Sequence, residues 1–169
     1  MNVIGLEAIP KRKPIYRYNE LSESYKLWLI DHYGYQPIWQ NPFGSGGRRK
    51  WFVEVRKNEN VEHAFFVRIL EQLIRGLADD VMVYEHSKPD IVFDCAKYGS
   101  VAVEVETGSR KQSRSELESR FKKLNKEYGL VLVFVTDKYL KRQYEKLAKT
   151  ITRTEIKYEI ASCFDAWKG

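Results

Sequence analysis

Asp90, Glu104 and Glu106 are three carboxylates that local chain geometry gathers in one place. Residues 101–107, Val-Ala-Val-Glu-Val-Glu-Thr, alternate strictly. Side chains of a strand alternate between its faces, so Val101, Val103 and Val105 share one side and Ala102, Glu104 and Glu106 the other. Residues 88–94, Lys-Pro-Asp-Ile-Val-Phe-Asp, read as the strand before it, and Lys97-Tyr98-Gly99-Ser100 as the reversal between the two. Asp90 then stands on an antiparallel neighbour of the strand that carries both glutamates. Hard oxygen ligands clustered on a rigid sheet are what Mg²⁺ or Mn²⁺ requires.

The elements that must position these acids follow from periodicity. Asn58 or Asn60 caps a helix over 61–77, whose Phe66, Ile69, Leu70, Leu73 and Leu77 recur at helical spacing. Glu62 projects from the N-terminal end of that apolar stripe. Either it complements the helix dipole, or it leans toward the sheet and joins the acidic cluster. Residues 81–86 read as a strand, giving a three-strand meander with 90–95 and 101–106. Ser113-x-x-Glu116 is a capping box for a helix that buries Leu117, Phe121, Leu124 and Tyr128 and closes at Gly129. The unbroken apolar run 130–135 predicts a central strand covered on both faces and paired in parallel, hence a βαβ crossover. Asp137 caps a helix over 138–149, residues 155–160 read as a last strand, and Trp167 packs the tail.

Upstream, residues 1–20 read as an extended basic arm and 22–33 as a short helix stopped by Gly34. Residues 37–40 and 51–55 read as a hairpin with a long tip, Gly44-Ser-Gly-Gly-Arg-Arg49. That tip is no P-loop, since no Gly-Lys-Ser/Thr follows. Arg48, Arg49 and Lys50 beside aromatic residues suit a nucleic-acid groove, and equally a solvated loop. The division expected is an N-terminal extension over 1–58 and a core over 59–169.

The chain has 169 residues, 43% of them hydrophobic and 14% aromatic, enough for one domain with a real core. Its 29 Lys and Arg against 23 acids leave a net charge of +6, a modest bias toward a polyanionic partner. Cys95 and Cys163 form no CxxC, and His32, His63 and His86 show no ligand spacing, so no zinc site and no disulfide framework are expected. A reducing, intracellular and cytoplasmic setting fits. No apolar run approaches the roughly 18–20 residues that span a bilayer, and the N-terminus lacks a signal-peptide apolar region.

The order helix, three meander strands, helix, strand, helix, with Pro89-Asp90 on the second strand and Glu104-x-Glu106 on the third, resembles the PD-(D/E)XK nuclease superfamily, over about 60–145. The resemblance implies an α/β, restriction endonuclease-like fold: a central mixed sheet flanked by helices, here with an N-terminal helix and hairpin added. Val-Glu-Val-Glu-Thr-Gly is also similar to archaeal, plasmid or viral nuclease-like members and to Holliday junction resolvases. In the family pattern the helix carboxylate corresponds to Glu62, the strand acids to Asp90 and Glu104, and a lysine usually stands where this chain has Glu106. Lys111, just past the third strand, ranks ahead of Lys88 as its replacement.

What the resemblance implies is a Mg²⁺-dependent DNA endonuclease, acting as a homodimer with one site per strand. Asp90, Glu104 and the Val105 carbonyl would be metal ligands, Glu62 a further one, and Glu106 a ligand or general base. Arg48, Arg49, Lys50, Arg110, Lys111 and Arg114 would contact DNA, and Trp39 or Trp51 would stack on bases if not part of the core. Carboxylates packed so closely imply at least one raised pKa without a cation. The alternative is a nuclease-fold module that has lost catalysis and keeps DNA binding or assembly.

Overall fold

The computed structural model describes residues 12–84, 89–109 and 112–164. Two sheets share one helix between them. The smaller sheet has the order β1-β3-β2, all antiparallel, from β1 (Ile15–Arg17), β2 (Tyr35–Gln40) and β3 (Arg49–Glu54). The larger has the order β4-β5-β6-β7-β8, from β4 (Val81–Val83), β5 (Ile91–Cys95), β6 (Gly99–Glu106), β7 (Leu130–Val135) and β8 (Lys149–Ile151). Its first three strands are the antiparallel meander, and β6-β7 and β7-β8 pair in parallel. The chain is therefore a mixed α/β protein with a five-stranded mixed sheet and, among the described residues, five α-helices.

Helix α2 (Val61–Arg75) is the shared element. Asn60 caps it, its side chain accepting from the N–H groups of Glu62 and His63. Phe65, Phe66, Leu70 and Ile74 are fully buried, more of its circumference than one stripe, because both sheets press on it. Ile15 and Val53 of the small sheet join the same core as Val101, Val103, Leu132 and Phe134 of the large one. On the other face of the large sheet, Ala102, Val131, Val133 and Val135 meet Leu117, Phe121 and Leu124 of α3 (Arg114–Glu127) and Tyr144 of α4 (Lys138–Tyr144). β7 is thus covered on both sides, as its unbroken apolar run requires. The Ser113–Glu116 capping box starts α3, and Asp137 accepts from Tyr139 N–H to start α4.

Three expectations are corrected. Residues 15–17 are a strand, not a free arm: Ile15 and Tyr16 are buried and pair with β3. Helix α4 stops at Tyr144, and Thr150 and Ile151, β-branched, go into β8 beside β7. Residues 156–163 are a helix, α5 (Ile156–Cys163), where a strand was expected. The Glu155 carboxylate reaches back to the Thr152 N–H and hydroxyl, the glutamate half of a Thr-x-x-Glu capping pattern. Trp167 lies outside the described residues.

Candidate active site

The site begins just before β5. The register that pairs Ile91 with Val103 would set Pro89 against Val105 and Asp90 against Glu104. Pro89 has no N–H to give to the ladder, so the pairing stops there. The Asp90 carboxylate takes the place of a strand acceptor: its Oδ2 receives the Val105 N–H at 2.7 Å. The Asp90 carbonyl accepts from Tyr84 N–H at 3.0 Å, which ties the same corner to the end of β4. Pro-Asp is therefore a strand terminator and an anchored carboxylate at once.

The α2 side chain that reaches this carboxylate is His63, whose Nε2 lies 3.2 Å from Asp90 Oδ1. Its Nδ1 lies 3.1 Å from Glu59 Oε1, so the imidazole bridges two acids. Burial alone would lower the His63 pKa, but hydrogen bonds to Asp90 and Glu59 outweigh it and push the pKa up to about 9. The imidazolium answers in kind. Burial works to raise the Glu59 pKa, yet the His63 bond and a backbone bond from Arg56 hold it below the ordinary carboxylate value.

Glu104 is 1% exposed. Its Oε2 accepts from Arg120 Nη2 of α3 at 2.5 Å, while its Oε1 is buried with no hydrogen-bond partner. Burial, then the negative charge of Asp90, raises its pKa to about 8 against the pull of Arg120. A raised carboxylate pKa was expected from crowding; desolvation is its larger cause. Glu106 is equally buried. Its Oε1 lies 3.4 Å from Arg120 Nη1, and it also hydrogen-bonds Tyr144, whose pKa rises through burial and that neighbouring charge. Arg120 thus binds both glutamates with one guanidinium, the planar fork suited to paired carboxylates.

Glu62 goes elsewhere. Its Oε1 accepts from Gln40 Nε2 at 3.1 Å and from Arg153 Nη2 at 3.3 Å, joining α2 to β2 and to the segment before α5. The structure therefore gathers Glu104 and Glu106 on Arg120, holds Asp90 against His63 and the Val105 N–H near enough for its charge to act on Glu104, and sends Glu62 to Arg153. Arg114 is held by Glu118 and the Gln143 carbonyl. Arg48 and Arg49 are exposed at the mouth of the β2–β3 hairpin, and Lys50 lies over the Tyr18 ring. Trp51 donates to the Gln40 carbonyl and packs on Phe65, so it belongs to the core, whereas Trp39 is 60% exposed. Arg110, Lys111 and Lys88 lie outside the described residues.

His63, Glu59 and Arg120 were not foreseen, though two signals were present. Arg120 stands at i+3 from Leu117 and i−4 from Leu124, on the buried stripe of α3, where a cation demands buried acids opposite. Glu59 and His63 are four residues apart across the N-cap.

Among the described residues no group of three or more His, Cys, Asp or Glu side chains stands ready to hold a metal ion. The two acids nearest the start of β5 nevertheless suit a hard divalent cation. Both present oxygen donors, and the buried Glu104 Oε1 has no hydrogen-bond partner among the protein groups, a place that a proton or a cation would complete. No described helix is long and apolar enough to cross a membrane. Comparison of the chain with family models, curated proteins and solved structures gives no match.

Proposed function

We propose that the chain is a metal-dependent DNA endonuclease with a restriction endonuclease-like core, its site formed by Asp90, Glu104 and the Val105 backbone carbonyl. The observation that carries the reading is Glu104: a fully buried carboxylate, opposite Asp90, with one oxygen left without a partner. A buried polar atom of this kind costs about 1–3 kcal/mol unless a proton, a water or a cation completes it, and a carboxylate oxygen beside a second carboxylate suits a cation. The element order adds support, since the carboxylates sit on two adjacent meander strands followed by a parallel crossover. Asp90 and Glu104 would hold Mg²⁺ or Mn²⁺. The chemistry such a cation supplies is neutralisation of charge on the phosphate and acidification of water.

The chain's own groups have separate tasks in this reading. His63 fixes the Asp90 carboxylate from one side, the Val105 N–H fixes it from another, and Glu59 fixes His63. Arg120 offsets the repulsion of Glu104 and Glu106, which allows two glutamates to be buried together. It also brings a permanent cation to the glutamate that stands in the usual lysine position. Glu106, engaged by Arg120 and Tyr144, anchors that cation and is not the base.

The second reading, a DNA-binding or assembly module without catalysis, is favoured by one observation. Arg120 already contacts both glutamates, so the pair is partly neutralised with no metal. Incubation with supercoiled, branched and single-stranded DNA in Mg²⁺, Mn²⁺ or EDTA separates the two. The nuclease reading expects cleavage that needs the cation and falls by orders of magnitude in Asp90→Ala and Glu104→Ala. The same background from wild type and both variants leaves the binding module.

A further inference from the structure

The small sheet carries a second feature, distant in sequence from the carboxylates. One of its faces is covered by α2 and the other by α1 (Glu23–Tyr33), which packs on Tyr16, Tyr35 and Phe52. The cover of α1 runs out along β2. Tyr35 is buried, but Trp39, four residues on and on the same face, is 60% exposed. Around it opens a surface groove of about 390 Å³, lined by Arg17, Tyr18, Trp39, Arg48, Arg49 and Lys50. Trp39 and Lys50 are directly opposed on β2 and β3, so both side chains rise from the same face. Lys50 Nζ lies 3.7 Å from the Tyr18 ring centre, and Lys26 Nζ lies 3.8 Å from it.

We infer that this groove binds single-stranded nucleic acid, with Trp39 stacking on an unpaired base and the arginines of the hairpin mouth on the flanking phosphates. The inference rests on the nucleic-acid reading above and narrows it. Four cations lining one groove call for a polyanion. A duplex would satisfy the cations but not Trp39, because base faces in a duplex are stacked on one another. An exposed indole among cations matches the stacking platform and backbone track that single strands use. An unpaired base also explains why so large an apolar side chain is left uncovered while Trp51, twelve residues on, is drawn into the core. Gln40, next to Trp39 but on the opposite face of β2, bonds to Glu62 and so ties this strand to α2.

The test is fluorescence anisotropy in EDTA with a dye-labelled oligo-dT of about 16 nucleotides, an oligo-rU and a blunt duplex of equal length. The single strands should bind more tightly than the duplex. Trp39→Ala should weaken single-strand binding roughly 5-fold to 150-fold and leave duplex binding unchanged, while Trp39→Phe should keep most of it. Because Trp39 is exposed, the melting temperature should not move. Arg49→Glu should weaken binding to every probe. If Trp39→Ala leaves oligo-dT affinity within about twofold, or the duplex binds as tightly and responds equally, the groove is not a single-strand site. That result does not touch the nuclease reading, which fails separately if Trp39-dependent binding is present but no cation-dependent cleavage occurs.

Discussion

His63 is the residue on which the charge balance of the site turns. Its folded pKa, near 9, stands above the ordinary imidazole value because two carboxylates hold its proton. The folded state therefore keeps a proton that the unfolded chain gives up above about pH 6.5. The stabilisation is fully present below that pH and is lost as pH rises through about 9, a loss on the order of 3 kcal/mol. Glu104 acts in the same direction at lower pH. Its folded pKa near 8 lies above the usual carboxylate value, so stability also falls as pH rises from about 4.5 to about 8. Glu59 and Glu155, held below the usual value, work oppositely and cost stability only when pH falls below the carboxylate range. EDTA-treated protein should thus lose stability from about pH 6 to about pH 9.5 in urea titrations. His63→Gln, which can still hydrogen-bond but carries no charge, should flatten the upper part of that decline. A wild-type advantage over His63→Gln that is equal at both pH values would contradict the Glu59–His63–Asp90 arrangement.

At the scale of elements, the crossover between β6 and β7 depends on one position. Gly129 joins α3 to β7, and its N–H bonds to the Ser100 carbonyl at 2.8 Å. A Cβ placed there would fall within the van der Waals envelope of the Tyr98 carbonyl oxygen, a backbone atom that cannot rotate away. Gly129→Ala should destabilise the protein by about 3 kcal/mol through forced separation of that turn from the crossover. Unfolding midpoints check this, and an unchanged midpoint would mean the two segments are less tightly joined than the structure shows. The elements around this point were the legible ones. α2 and α3 announce themselves by a helical period and a capping residue, β7 by its unbroken apolar run, and Glu104 and Glu106 of the meander share a face as alternation requires. What the sequence hid were contacts without local signature. Residues 156–163 bury Ile156, Ile160 and Cys163 at helical spacing, but in a segment too short for that period to stand out, and β1 is only three residues long and gains its place from β3, far along the chain. Glu62 illustrates the limit at the site. Its helix position was readable, but its partner Arg153 lies 91 residues away, and no local pattern reports such a pairing. His63 was passed over for the converse reason: its i−4 partner Glu59 is local, but it acquires Asp90 only when α2 docks on the meander.

Over the whole molecule, the net charge of +6 is unevenly spent. The β5–β6 end gathers carboxylates answered by His63 and Arg120, while the hairpin mouth of the small sheet presents Arg48 and Arg49 to solvent near Arg17 and Lys50. The two ends are fixed to one another through α2, which packs on both sheets, and through the Gln40–Glu62–Arg153 links. A nucleic acid that engages both ends must therefore release counterions chiefly at the hairpin mouth. Log affinity should fall linearly with log salt, by about 0.7 per phosphate contact on a single strand and about 0.9 on a duplex. Arg48→Ala with Arg49→Ala should reduce that slope by roughly 1.4 on a single strand if each arginine meets one phosphate. Asp90→Asn should leave the slope unchanged, because Asp90 is engaged by His63 and the Val105 N–H. Anisotropy titrations at several salt concentrations in EDTA give the slopes directly. If the double variant keeps both slope and affinity, the hairpin mouth lies outside the interface. If Asp90→Asn instead steepens the slope, the negative charge at the β5–β6 end is itself repelling the backbone, and the two ends face the same strand.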